Sequence, residues 1–186
     1  TVCFEVATHL GRAASSAIIN QSNERNASII DANGRLAGIS VGIPQLLFVS
    51  PLAVRWGLEN FRQDDWGPGD VFVGNDPDYG GGHLPDYTVY APVFDASGEL
   101  VLIQALQAHQ GDTGGKDPGG FTLEATDIFT EGLAIPCLKL AHRGTRVVFI
   151  AGNHDEMLRD FAGMTFGGIE LVQEAIHVTA DGRHLL

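Results

Sequence analysis

Two histidines and an aspartate stand in a pattern suited to holding a divalent metal. His83 and Asp86 form a His-x-x-Asp pair directly behind three consecutive glycines, and His109 closes an apolar run with Gln110-Gly111-Asp112 behind it. Imidazole nitrogens and a carboxylate oxygen make a mixed N/O donor set suited to Zn, Mn or Fe(II), and three protein ligands leave positions open for water or substrate. A second polar cluster, Asn75-Asp76-Pro77-Asp78, precedes the glycines. The competing expectation is plain loop chemistry, since Asp and Asn are turn formers and a histidine beside glycine is commonly exposed. Gly80-Gly81-Gly82 permits backbone angles closed to other residues, and Pro85 stiffens the step between the two ligands; both favour convergence.

Such a set needs a scaffold that brings its residues to one place. Residues 71–73, 88–94 and 100–108 are short and rich in β-branched and aromatic side chains, which predicts strands, and the Asp95–Gly98 turn joins the last two as a hairpin. Upstream, Val6, Leu10, Ala13, Ala14, Ala17 and Ile18 repeat at helical spacing, predicting one helix over residues 5–22. Residues 27–30 and 36–41 then read as a hairpin around Asp31-Ala32-Asn33-Gly34. Pro51 opens a second helical pattern through Leu52, Val54, Trp56, Leu58 and Phe61, while Pro136 argues against a central strand. The expected fold class is α+β, a β-rich mixed sheet with hairpins and a few flanking helices.

The runs GDVFVGNDPDYGGGHLPDYTV, AHQGDTGG and FTEGLAIPCLKL, in this order, resemble successive blocks of the hydantoinase B/oxoprolinase family. The resemblance covers residues 1 to about 140 and implies a fragment of a larger fold. It implies a divalent metal on His83, Asp86 and His109, and Asp112 and Glu131 match positions within the family's blocks; as the catalytic candidates, Asp112 or Glu131 is expected to move a proton if burial raises its pKa toward neutrality. Gln110 departs from the pattern, standing where many relatives carry a histidine. By the same resemblance the activity is ATP-dependent hydrolase or carboxylase chemistry at a carbonyl of a small cyclic amide or ketone, with ATP bound by a hydantoinase A-like partner subunit. Gly80-Gly81-Gly82 lacks the Lys-Ser/Thr of a phosphate loop, consistent with nucleotide binding elsewhere.

Composition bounds the alternatives. A net charge of −12 and a pI near 4.7 argue against nucleic acid or an anionic membrane surface as partner. No apolar run reaches the roughly 18 residues needed to span a bilayer. With 186 residues, 44% hydrophobic, the chain has material for one globular domain or two small ones. Only Cys3 and Cys137 occur, which suits a reducing cytoplasm and leaves a disulfide between them open.

The last 45 or so residues differ in character. Residues 145–150 form a short β run, followed by Gly152-Asn153-His154-Asp155-Glu156 and a helix-like 157–161. This segment resembles one block of the calcineurin-like metallophosphoesterases, of the UDP-2,3-diacylglucosamine pyrophosphatase-like kind, which implies Asn153 on a metal and His154 toward a phosphate. The other blocks that would complete a two-metal site are absent, and a strand-to-helix turn capped by Asn153 or Asp155 is the competing expectation. The chain is therefore expected to divide into 1–140 and 141–186. Metal-dependent phosphoester hydrolysis is the alternative function, and a non-catalytic fragment the second alternative. His177 and His184 are expected to face solvent in a final hairpin.

Overall fold

A computed structural model of the chain describes residues 2–40, 42–117, 119–141, 147–150, 156–166, 169–178 and 182–185. Two compact units are present, Thr1–His142 and Arg143–Leu186.

The larger unit is built on a six-stranded sheet in the order β2-β1-β5-β4-β3-β6. Its strands are β1 (Arg25–Asp31), β2 (Leu36–Ile39), β3 (Val71–Gly74), β4 (Asp86–Phe94), β5 (Leu100–His109) and β6 (Leu138–Ala141), and every pairing is antiparallel. Strand side chains alternate between the two faces, and each face is covered by a different helix. Ile30, Phe72, Tyr90 and Ile103 pack against Ala53 and Val54 of α3 (Pro44–Asn60). On the opposite face Ala27, Ile29 and Leu106 pack against Cys3 and Ala7 of α1 (Val2–Ala13). The centre of the α3 side is an aromatic stack: Phe72 and Tyr90 lie 5.2 Å apart at 8°, and Trp66 lies 4.5 Å from Phe72. Gly57 is required here, because a Cβ at that position would lie 2.3 Å from the Tyr90 hydroxyl. The edge strand β6 is pinned by Lys139, whose Nζ lies 2.8 Å from Asp70 Oδ2 and donates to the Asp65 carbonyl.

The α+β class and the three central strands agree with the sequence reading, and both hairpin turns form. Asp31 and Asp95 accept backbone N–H groups within their own turns, and Gly34 and Gly98 take φ of +76° and +85°.

Two helix boundaries differ from expectation. The first helix stops at Ala13, and a short α2 (Ala17–Asn20) follows. Arg25 holds the break by donating to the carbonyls of Ala7 and Ile19, while Asn20 Nδ2 donates to Ala14 O. The second helix starts at Pro44, not Pro51, and carries Pro51 inside it. An interior proline removes a helical hydrogen bond. The buried stripe Leu46, Ser50, Ala53, Val54 and Gly57 continues through it at helical spacing, so burial offsets the loss. Both cysteines are free: Cys3 packs under α1, and Cys137 Sγ lies 2.9 Å from the Tyr90 hydroxyl.

In the smaller unit, β7 (Val147–Ile150) pairs parallel with β9 (Ile169–Val172), which pairs antiparallel with β8 (Thr165–Phe166). β10 (His177–Val178) and β11 (His184–Leu185) form the final hairpin, in which His184 is exposed. Asn153 and His154 lie outside the described residues.

Candidate metal centre

The sheet register does the first part of the assembly. Asp86 is the first residue of β4 and His109 the last of β5, and the two are direct cross-strand partners. Sequence reading put Asp86 in a loop; the structure makes it a strand residue, so a ladder fixes its direction. His83 reaches the same point from the preceding loop. Gly80 turns that loop with φ of +82°, and Gly81 lies so close to the backbone of Asn75 that a Cβ would sit 2.1 Å from the Asn75 carbonyl oxygen. Asn75 itself is the clasp of the loop. Its buried side chain donates to the carbonyls of Leu84 (2.7 Å) and Leu133 (2.8 Å) and accepts the N–H of Ile135 (2.6 Å).

The two carboxylate oxygens of Asp86 face different histidines. Oδ1 lies 2.9 Å from His109 Nδ1, and Oδ2 lies 2.7 Å from His83 Nδ1. The second contact has ion-pair distance without hydrogen-bond angles: His83 Nδ1 and Asp86 Oδ2 are buried atoms with no hydrogen-bond partner. Among the described residues, His83, Asp86 and His109 form the one group of at least three His, Cys, Asp or Glu side chains whose ligand atoms all lie within 4.8 Å of one another. Donors on a tetrahedral Zn at ~2.05 Å are about 3.3 Å apart, so small side-chain rotations fit this set around an ion.

Burial works against ionisation of Asp86, yet the hydrogen bond from His109 and the contact with His83 outweigh it and hold the carboxyl below its ordinary 3.8. His83 is shifted the other way: the Asp86 carboxylate raises its pKa above 6.5, against partial burial, and the charge of Glu131 adds to the rise. The signs set a stability window for the metal-free protein. The Asp86 contribution is complete above about pH 3.8 and is lost as pH falls through its lowered folded pKa; the His83 contribution is complete below about pH 6.5 and is lost as pH rises through its raised one. The Tm difference between metal-free wild type and His83→Gln should therefore be largest between about pH 4 and 6.5 and shrink above it. Scanning calorimetry across pH 3–9 checks this. A difference that grows on the alkaline side would contradict it.

The three residues line a cavity of about 340 Å³. Ile18, Ile43, Leu46 and Phe121 form its apolar side, with Phe121 edge-on to His83 at 6.1 Å. Glu24 and Gln45 add polar groups, and Glu24 Oε2 lies 3.8 Å from His109 Nδ1. Sequence reading missed Glu24, which belongs to no motif; its neighbourhood follows from the pairing of the chain beside β1 with β5, where His109 N donates to Glu24 O. Asp112 and Glu131 do not line this cavity. Asp112 is exposed and its Oδ1 accepts the N–H of Gly114, whereas Glu131 is near enough for its charge to act on His83. Gln110 is turned away, its Nε2 donating to Ala108 O. A separate groove of about 390 Å³ on the α1 face is apolar and carries neither carboxylate nor imidazole.

Comparison with known proteins matches residues 1–155 to the model of the family described as hydantoinase B/oxoprolinase. The chain belongs to this family. Family membership extends past the expected boundary at residue 140 and through Asn153 and His154, so the resemblance of the tail to a metallophosphoesterase is not supported. Among family relatives, a 5-oxoprolinase of Saccharomyces cerevisiae is 31% identical over 139 residues, covering 72% of this chain and 10% of that protein. The caprolactamase subunit beta of Pseudomonas jessenii is 42% identical over 89 residues, 48% of this chain and 15% of that one. Among solved structures, a nucleotide-free acetone carboxylase, described in terms of ATP-dependent acetone carboxylation, superposes with a TM-score of 0.68 at 26% identity, covering 77% of this chain and 19% of that chain. The family fold here is thus a fragment of a larger carboxylase-type fold, and the chain spans about a tenth of the curated 5-oxoprolinases it matches.

Proposed function

We propose that this chain is the metal-holding part of an ATP-dependent hydrolase or carboxylase subunit acting at a carbonyl of a small cyclic amide or ketone, with His83, Asp86 and His109 as the metal ligands. The observation that carries the reading is the convergence of two imidazoles on opposite oxygens of one buried carboxylate at the wall of a cavity. ATP dependence is supported by the likeness to acetone carboxylase, whose carboxylation of acetone is ATP-dependent. A separate hydantoinase A-like ATP-binding subunit, and a cytoplasmic setting for the complex, complete the reading; no helix among the described residues is long and apolar enough to cross a membrane.

A divalent metal, Zn, Mn or Fe, would supply Lewis-acid polarisation of the carbonyl when bound. The chain's own residues do the rest. Asp86 stays ionised through the working pH range and aims one oxygen at each histidine. His83 must release its proton to act as a ligand, so metal affinity rises with pH until His83 is neutral. The apolar side of the cavity, Ile18, Ile43, Leu46 and Phe121, suits the ring or alkyl body of a small substrate. For proton transfer, support is strongest for Glu24, which faces the cavity, then for Glu131; Asp112 is the remaining candidate from the sequence.

The test is reconstitution. Protein loaded with Zn, Mn or Fe and mixed with the ATP-binding subunit should turn over members of a lactam and ketone panel with ATP consumption. Asp86→Ala should lower that turnover at least ~100-fold, more than loss of an outer hydrogen-bonding partner of a metal ligand. Turnover that survives both chelation and Asp86→Ala would overturn the reading.

A further inference from the structure

Behind the ligand set, the same sheet face continues inward as a second polar row. Asn26 of β1 is opposite Gln107 of β5, and Gln107 is opposite Thr88 of β4. Gln107 stands two residues from His109, and Thr88 two from Asp86, about 6.6 Å along their strands. Helix α3 roofs the row with Ser50, whose Oγ lies 3.5 Å from Gln107 Oε1. Asn26, Thr88 and Gln107 are 0% exposed and Ser50 1%. Yet both polar side-chain atoms of Asn26, Thr88 Oγ1 and Gln107 Nε2 have no protein partner, and neither has Ser28 Oγ, two residues along β1.

Buried amides and hydroxyls are strongly disfavoured unless hydrogen-bonded, so five such atoms on neighbouring strands of one sheet face mark a place for a ligand. The groups are neutral and offer donors and acceptors in mixture, with no charge among them to hold an ion. The ligand that fits such groups is small, neutral and able both to donate and to accept.

We propose that Asn26, Ser28, Ser50, Thr88 and Gln107 form an internal water site. Ordered water bridges the three strands there, one row behind Asp86 and His109, and extends their polar surroundings into the domain. The site is independent of the metal reading, since no ion enters the argument.

Two measurements decide it. A crystal structure of the wild-type chain at about 1.8 Å or better should show ordered water within hydrogen-bond distance of at least two of the Asn26, Thr88 and Gln107 side chains. Thr88→Val removes the hydroxyl at nearly constant volume. If water holds that hydroxyl, Tm falls by about 2–4 °C; if the hydroxyl has no partner, removing it leaves Tm unchanged or raises it. Density without ordered water at these side chains, or a Tm that does not fall, overturns the proposal. Should Thr88→Val fail to fold, the wild-type density decides alone.

Discussion

Asp86→Asn is expected to bind Zn(II) or Mn(II) at least ~100-fold more weakly than wild type while the chain stays folded. Asp86 is the one carboxylate in the set, and each of its oxygens is committed to a different histidine, Oδ1 to His109 and Oδ2 to His83. The amide keeps the shape but loses the charge, and it replaces one acceptor oxygen with a donor NH₂ that cannot bind a cation. Loss of an outer partner of a metal ligand already lowers affinity 10–100-fold in general, and loss of an inner ligand exceeds that. Calorimetric titration of chelator-stripped protein measures the difference. Equal affinities would mean that metal is bound elsewhere.

The second large effect is on folding. Asn75→Ala is expected to destabilise the larger unit by about 3 kcal/mol, roughly 1 kcal/mol for each of three hydrogen bonds, one buried and two partly buried, whose partners are left unsatisfied. The Leu84 and Leu133 carbonyls and the Ile135 N–H all depend on this one side chain, which is 0% exposed. In a chain of this size the change lowers Tm by about 6–12 °C. Because Leu84 follows His83 directly, the same substitution loosens the loop that delivers the first histidine, and metal affinity should fall with stability. Thermal melts followed by near-ultraviolet dichroism read the first effect. A shift below ~2 °C would show that the loop is held by its glycines alone.

Asn75 also shows where sequence reading reaches its limit. It was legible as part of a polar cluster near the site, but its partners lie 9, 58 and 60 residues away, and no local pattern specifies contacts at that separation. The strands around it were legible because alternation and β-branched composition are local properties, and the turns because Asp and Gly act within four residues. His83, Asp86 and His109 were legible as residue types with suitable chemistry in a matching block. That Asp86 and His109 are cross-strand partners follows from register, which long-range pairing of the chain sets. Glu24 and the row Asn26–Gln107–Thr88 were invisible for the same reason. The run of α3 through Pro51 was missed because proline is a strong local stop signal, and here a buried stripe on both sides of it prevails.

The most direct test of the metal assignment is anomalous diffraction from crystals of wild-type protein soaked in Zn(II) or Mn(II), collected at the metal absorption edge, beside elemental analysis of the same protein and of His83→Ala, Asp86→Ala and His109→Ala. The expected result is about one metal per wild-type chain, with an anomalous peak in contact with the side chains of His83, Asp86 and His109, and loss of the metal from each variant. A peak away from these residues, or metal content that is the same in wild type and all three variants, would contradict the assignment.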